Sequence, residues 1–134
     1  MGRDFIVPSG STKKLLATYD NVAVATDQKP FNFVVPKDYK YLYITYPSYS
    51  SESVLFGMVI DVKKLNEDSP DTSQINHYCM STWLDKAHSI IRVRNIGYNS
   101  KTRILHIGNA GAFYDYRWEV DYKVCPVKEI WGIN

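Results

Sequence analysis

Two short segments of this sequence set tyrosine among small polar residues: Tyr46-Pro47-Ser48-Tyr49-Ser50-Ser51 and Gly97-Tyr98-Asn99-Ser100-Lys101. A phenol ring brings contact area at low entropic cost, while Ser, Asn and Gly add adaptable hydrogen bonding, the chemistry of recognition loops. Sugar rings stack on aromatic faces for the same reason. Tyr46, Tyr49, Tyr98 and Asn99 are therefore the candidate ligand-binding residues. A plainer account stands beside this one, because turns favour Ser, Asn, Gly and Pro in any protein. Gly108-Asn109-Ala110-Gly111-Ala112-Phe113 carries a weaker version of the same composition.

Catalytic patterns are harder to find. No Gly-x-Ser-x-Gly elbow presents a nucleophilic serine. Among the histidines, His106 lies in an alternating run with Thr102 and Ile104 on its face, where a packed or surface imidazole is the simpler reading. His77-x-Cys79 could offer two metal ligands, but no second pair at zinc-like spacing accompanies it, so no metal site is expected. Asp115, Glu119 and Asp121 share one strand face, and residues two apart on a strand lie roughly 7 Å from each other. That falls within the roughly 5–9 Å that separates glycosidase carboxylates. Arg117 and Lys123 interleave with them, which reads as a solvated charge ladder. Gly108-x-x-Gly111 lacks the phosphate-loop pattern. Neither enzymatic activity nor a cofactor is expected.

These segments must be carried by strands, because period-two alternation dominates and helical periodicity is nearly absent. The clearest alternation runs from Tyr114 to Lys123, with Tyr114, Tyr116, Trp118, Val120 and Tyr122 on a predicted core face and Asp115, Arg117, Glu119, Asp121 and Lys123 toward water. Phe31–Val35, Tyr39–Tyr46 (halted at Pro47) and Val54–Val62 are further predicted strands, the last one covered on both faces. Ile90–Arg94 and Arg103–Ile107 form a predicted hairpin with a loop at Gly97–Ser100, and Gly108–Gly111 turns the chain into the aromatic strand. Short strands are possible near Lys14–Tyr19 and Val22–Ala25. Asn66–Ser73 reads as an acidic loop, and Trp83–His88 as one helical turn. The expected fold is all-β: an antiparallel β-sandwich, jelly-roll-like, in a single domain over 1–134, with 1–30 either an N-terminal arm or short edge strands.

Composition narrows the partners. The chain has 134 residues, enough for one domain with a moderate core, and 14% aromatics, with Tyr present 11 times. A formal charge of +2 with scattered Lys and Arg gives no footprint for nucleic acid or an anionic membrane. No stretch approaches the roughly 20 apolar residues of a membrane helix. Two cysteines, Cys79 and Cys125, do not make a disulfide framework; buried free thiols are the default and a single bridge the alternative. No leader-like apolar run opens the sequence, so synthesis in a reducing cytoplasm is expected. The ending Ile130-Trp131-Gly132-Ile133 is too apolar to be left in water and predicts a docked closing strand.

Taken together, the Tyr39-Lys40-Tyr41-Leu42-Tyr43-Ile44 strand after a Pro-Lys-Asp turn, the buried Val54–Val62 strand, Arg103-Ile104-Leu105-His106-Ile107 and the closing Lys128-Glu129-Ile130-Trp131-Gly132-Ile133 form a pattern. It resembles the C-terminal tip domains of bacteriophage tail-fibre and minor tail proteins, over roughly Phe31 to Asn134. The resemblance implies a small β-sandwich that trimerises about a fibre axis and attaches to a host-surface glycan or protein, in the tail of a virion assembled in the bacterial cytoplasm. It carries over no catalytic residue, and tip binding residues differ from one tip to another. The chain could be an excised tip, a separately encoded tip, or a virion component sharing only the sandwich. Two other functions fit the same sequence: a structural capsid or tail decoration protein without a ligand, and a carbohydrate-binding module of a larger enzyme. The many aromatics also predict an apolar surface for self-association.

Overall fold

The computed structural model describes residues 10–22, 26–48, 51–68, 74–84, 89–115 and 117–134. Its elements are β1 (Lys13–Thr18), β2 (Phe31–Val34), β3 (Tyr41–Ser48), β4 (Ser51–Asp61), α1 (Val62–Asp68), β5 (Gln74–Leu84), β6 (Ser89–Asn99), β7 (Ile104–Tyr114), β8 (Arg117–Val120) and β9 (Glu129–Ile133). One sheet has the order β1-β9-β3-β4; the other runs β2-β7-β6-β5, with β8 paired to β7 as well. The strand pairs are antiparallel throughout. The chain changes sheet between β1 and β2, β2 and β3, β4 and β5, and β8 and β9. The protein is an all-β sandwich, with the jelly-roll-like alternation concentrated at its two ends.

Side-chain parity explains what holds the layers together. Successive residues on a strand face opposite ways, and Leu42 and Ile44 of β3 with Ile130 of β9 turn inward from the first sheet. They meet Ile96 and Tyr98 of β6 and Leu105 and Ile107 of β7 in one buried cluster. Each such aliphatic side chain stabilises the fold by roughly 1.5–3 kcal/mol relative to exposure. Farther along β6 the inward positions are Arg92 and Arg94, opposite Ala112 and Ala110 of β7. The small alanines leave room for the long guanidinium stems. Arg94 Nη2 donates to the Gln28 carbonyl at 2.7 Å. Gln28 in turn clamps Val127, donating from Nε2 to its carbonyl (3.1 Å) and accepting its N–H on Oε1 (2.8 Å). A polar brace thus ties the approach to β2 to the approach to β9.

Several sequence expectations are corrected by this architecture. Tyr114–Lys123 is not one strand: β7 ends at Tyr114, the chain turns at Asp115 with φ 45, and β8 folds back so that Trp118 pairs with Phe113. All four residues of β8 are exposed, so Trp118 and Val120 of the predicted core face point to water, whereas Tyr122 of that face does pack against the core. Alternation survives a tight turn, which is why the sequence hides it. Gly108–Gly111 is no turn but the middle of β7. Gly111 is needed there because Trp118 and the Glu119 carbonyl occupy the space a Cβ would fill. Gly97 and Tyr98 belong to β6, and the hairpin turn is displaced to residues 100–103, with Arg103 at φ 58. β4 is an edge strand, and Phe56 and Val59 on it are exposed rather than covered. Pro47 lies within β3. Asn66–Asp68 ends helix α1 instead of opening a loop, and Trp83-Leu84 closes β5. Residues 23–25, 69–73 and 85–88 of the predicted short strand, loop and helical turn lie outside the described residues.

Candidate functional site

One end of the sandwich is built from four separated segments. Asp38, Tyr39 and Lys40 precede β3; Val62, Lys63, Asn66 and Glu67 come from α1; Ser100 and Lys101 from the β6–β7 turn; and Asn134 follows β9. Together they enclose an open cleft of about 790 Å³. Local hydrogen bonds fix each wall. The Asp61 carboxylate caps α1 by accepting the Lys64 N–H at 3.0 Å, a role Asp fills well at a helix start. The Val62 N–H donates to the Lys40 carbonyl at 3.0 Å, and the Lys40 N–H to Asn134 Oδ1 at 3.0 Å. The Ser100 hydroxyl donates to Asn66 Oδ1, joining the turn to the helix. At the bottom, Tyr39 is buried with its ring against Gly132, where a Cβ would come within 2.6 Å of three ring carbons, and the Lys37 ammonium lies 5.2 Å from the ring centre. Gly132 thus admits a side-chain ring.

Exposed Lys40, Lys63 and Lys101 stand in this cleft with exposed Asp38 and Glu67 and the amide of Asn66. These polar groups stand beside a cleft surface that is itself more apolar than polar, in an opening with room for a sugar unit or a polar side chain. An apolar surface with a few convergent polar groups suits a ligand that has both an apolar face and hydrogen-bonding groups, as a sugar ring does, and loop ends on a rigid scaffold are where binding residues concentrate.

Of the four candidate residues from the sequence, Tyr98 and Asn99 line one shallow depression together, and Tyr46 lies apart in the core. Tyr46 turns inward from β3 and joins the core, its ring 5.9 Å from that of Phe56. Tyr98 turns inward from β6, and burial pushes its phenol up to about 12, with Asp38 adding to the rise and Arg103 opposing it. The loop premise fails for both, since each continues the inward parity of its strand. Tyr49 lies outside the described residues. Asn99 sits beside the cleft as a positioning group: its Oδ1 accepts the Lys101 N–H (3.0 Å) and the Thr102 N–H (3.2 Å), shaping the turn that carries Ser100 and Lys101.

A second, smaller depression of about 350 Å³ lies on the outer face of the other sheet, where the candidate residues Tyr98 and Asn99 are joined by Asn32, Gly97, Thr102, Ile104 and His106. His106 is exposed, and its Nδ1 is 2.6 Å from Asn32 Oδ1 on the neighbouring β2. Asp115 and Glu119, the carboxylates with glycosidase-like spacing, sit exposed on the β7–β8 hairpin, and Asp115 Oδ1 accepts the Ser89 N–H at 3.2 Å. Cys125 is a buried free thiol pushed up to about 11 by desolvation, against the lowering effect of Arg94 and Arg92. The side chains of His77 and Cys79 fall outside the described residues. Among the described residues no group of His, Cys, Asp and Glu could hold a metal ion, and no helix is long and apolar enough to cross a membrane.

Sequence reasoning missed the cleft because its residues are ordinary surface Lys, Asp, Glu and Asn. Asp61 before Val-Lys-Lys-Leu was the available signal, a helix N-cap that would have placed α1 beside the hairpin turn. Comparison with protein-family models, with curated proteins and with solved structures finds no match to this chain.

Proposed function

We propose that this protein is a non-enzymatic attachment domain of a bacteriophage virion, a tail-fibre tip or related receptor-binding module, that grips a host-surface glycan or protein. The observation that carries this reading is the cleft at the sandwich end, where four chain segments bring amines, carboxylates, an amide and a hydroxyl round one opening. Among the described residues of that lining none pairs a nucleophile with a base, whereas hydrogen-bond groups of both kinds are what a glycan or a polar peptide needs. The sandwich carries them on the helix, turn and strand-flanking residues at one of its ends, and the tail-tip resemblance of the sequence supplies the biological setting.

The test is decoration of bacterial cells by labelled protein, with a glycan array in parallel. Binding is expected for the wild type and a loss of about tenfold or more for a Lys63→Ala/Lys101→Ala variant that keeps its melting temperature. Absence of binding to any host panel, or binding untouched by the double variant, would remove the reading. A second reading, a structural tail component without a ligand, is favoured by the exposed Phe113 and Trp118, whose rings lie 4.8 Å apart as one ledge. It predicts incorporation into virions with no cell binding.

A further inference from the structure

Three strands of the second sheet set a group of uncharged polar side chains round the hollow on its outer face. Phe31 and Phe33 of β2, Leu105 and Ile107 of β7 and Ile96 of β6 turn toward the core. By parity Asn32, His106 and Gly97 turn outward, and they form one cross-strand row, Asn32 beside His106 and His106 beside Gly97. Two residues along, the next outward row joins Ile104 to Asn99. Gly97 brings only backbone to its place, and the hollow of about 350 Å³ opens among these rows, lined also by Thr102 of the β6–β7 turn. Asn32, Thr102 and His106 are exposed, and Asn99 and Ile104 are half-buried.

Internal hydrogen bonds decide which groups remain for a ligand. Asn32 Oδ1 can only accept, so its 2.6 Å contact puts the proton on His106 Nδ1 and leaves Nε2 of the neutral ring as an acceptor. A Cβ at Gly108 would lie 3.3 Å from that Nε2, so the glycine keeps this edge of the ring uncrowded. Asn99 Oδ1 is engaged by the Lys101 and Thr102 N–H groups, at 3.0 and 3.2 Å. Thr102 Oγ1 accepts the Ile104 N–H at 3.4 Å. Each asparagine therefore keeps its Nδ2 donor, Thr102 keeps its hydroxyl proton, and His106 keeps an acceptor nitrogen. Among the described residues no Lys, Arg, Asp or Glu lines the hollow.

We propose that this hollow is a second binding site, for one neutral sugar unit. A hydroxyl group both accepts from amide and hydroxyl donors and donates to an imidazole nitrogen. A carboxylate offers nothing to Nε2, and an ammonium offers nothing to the amides. Ile104 adds an aliphatic contact for the C–H face of a sugar ring. The volume falls at the small end of the roughly 300–1,000 Å³ of small-molecule sites, which suits a single ring. An open, uncharged site of this kind gains little beyond the cost of association, so binding is weak, in the millimolar range. The site shares no lining residue with the end cleft and stands independently of the attachment reading.

NMR titration of the full chain with the methyl glycosides of glucose, galactose, mannose and N-acetylglucosamine tests the proposal. At least one glycoside is expected to shift the side-chain amide signals of Asn32 and Asn99 together with the His106 ring, whose nitrogen signals show Nδ1 protonated beforehand. Affinity should fall about tenfold in Asn32→Ala and in His106→Ala, and about threefold in Thr102→Val, which removes a hydroxyl and keeps the side-chain shape. Circular dichroism confirms that each variant is folded. The methyl glycoside of glucuronic acid should bind no more tightly than that of glucose, because no cation lines the hollow. Absence of shifts with every glycoside, shifts confined to other parts of the chain, affinity untouched by the variants, or tighter binding of the glucuronide would each overturn the proposal. Cell binding that fails while a glycoside still titrates would strike only the attachment reading.

Discussion

β8 and β9 are both short and both contain a tryptophan within an apolar alternation, yet they have opposite fates. β9 lies between β1 and β3, hydrogen-bonded on both sides, and every residue but Trp131 is buried. β8 lies on the rim, sharing one edge of β7 with β2, and is exposed at all four positions. The difference teaches that a strand's place in the sheet decides burial, while alternation only sorts its residues into two faces. Even the water-side Glu129 of β9 is buried, its Oε1 accepting Thr45 Oγ1–H at 3.1 Å and Trp131 Nε1–H at 3.4 Å. The approach to β1 is stitched to the residue after β9 as well, by reciprocal backbone bonds between Thr12 and Asn134 at 2.7 and 2.9 Å.

The largest effect expected from breaking this contrast is at Ile130. It is fully buried between the layers, so Ile130→Ala removes its transfer energy and leaves a cavity, at a cost of about 2–5 kcal/mol. Chemical denaturation should show a lower midpoint with an unchanged slope. Next comes Gly132→Val, which drives a branched side chain into the Tyr39 ring. Overpacking of this kind costs about 1–3 kcal/mol. Because Tyr39 also lines the cleft, the variant should weaken ligand binding more than its stability loss explains; unchanged binding would detach β9 from the site.

A third test uses the buried side of the comparison. Tyr98 is raised from 10.0 to about 12 and Cys125 from 9.0 to about 11, each mainly by desolvation. Both groups hold their protons in the folded chain where the unfolded chain would release them. Their contribution is complete below pH 9, diminishes as the unfolded chain ionises, and is lost by about pH 12. Stability measured by urea titration should therefore fall steadily above pH 9, and less steeply in Tyr98→Phe.

How much of this was legible beforehand follows the same physics. Leu42, Ile44, Leu105 and Ile107 announce buried strand faces through period-two spacing, and the apolar ending announces β9, because those signals are local. Sheet order is not local. Nothing in Tyr114–Lys123 tells that Asp115 adopts a positive φ or that β2 already occupies half of β7's edge. The cleft is equally non-local, since Asp38, Lys63 and Lys101 become neighbours only once α1 carries the chain from β4 to β5. Tyr46 and Tyr98 were misplaced for a related reason: flanking Ser, Asn and Pro resembled loops, whereas parity with Ile44 and Ile96 put both rings inside.

The smallest stability effect belongs to Trp118, and it sharpens the comparison most. Its ring is 44% exposed and its main neighbours are Phe113 and the bare backbone of Gly111. Truncation forfeits an aromatic pair worth about 0.5–1.5 kcal/mol and little burial. Trp118→Ala should therefore lower stability by about 1 kcal/mol or less, well below the cost at Ile130. A loss comparable with that of Ile130→Ala would mean that the β7–β8 ledge is covered in solution, and light scattering on the same sample would then show an assembly that Trp118→Ala dissolves. A small loss with no change in mass leaves the ledge as open surface on the rim of the sandwich, where a weakly held aromatic costs the fold little and is free to meet another molecule.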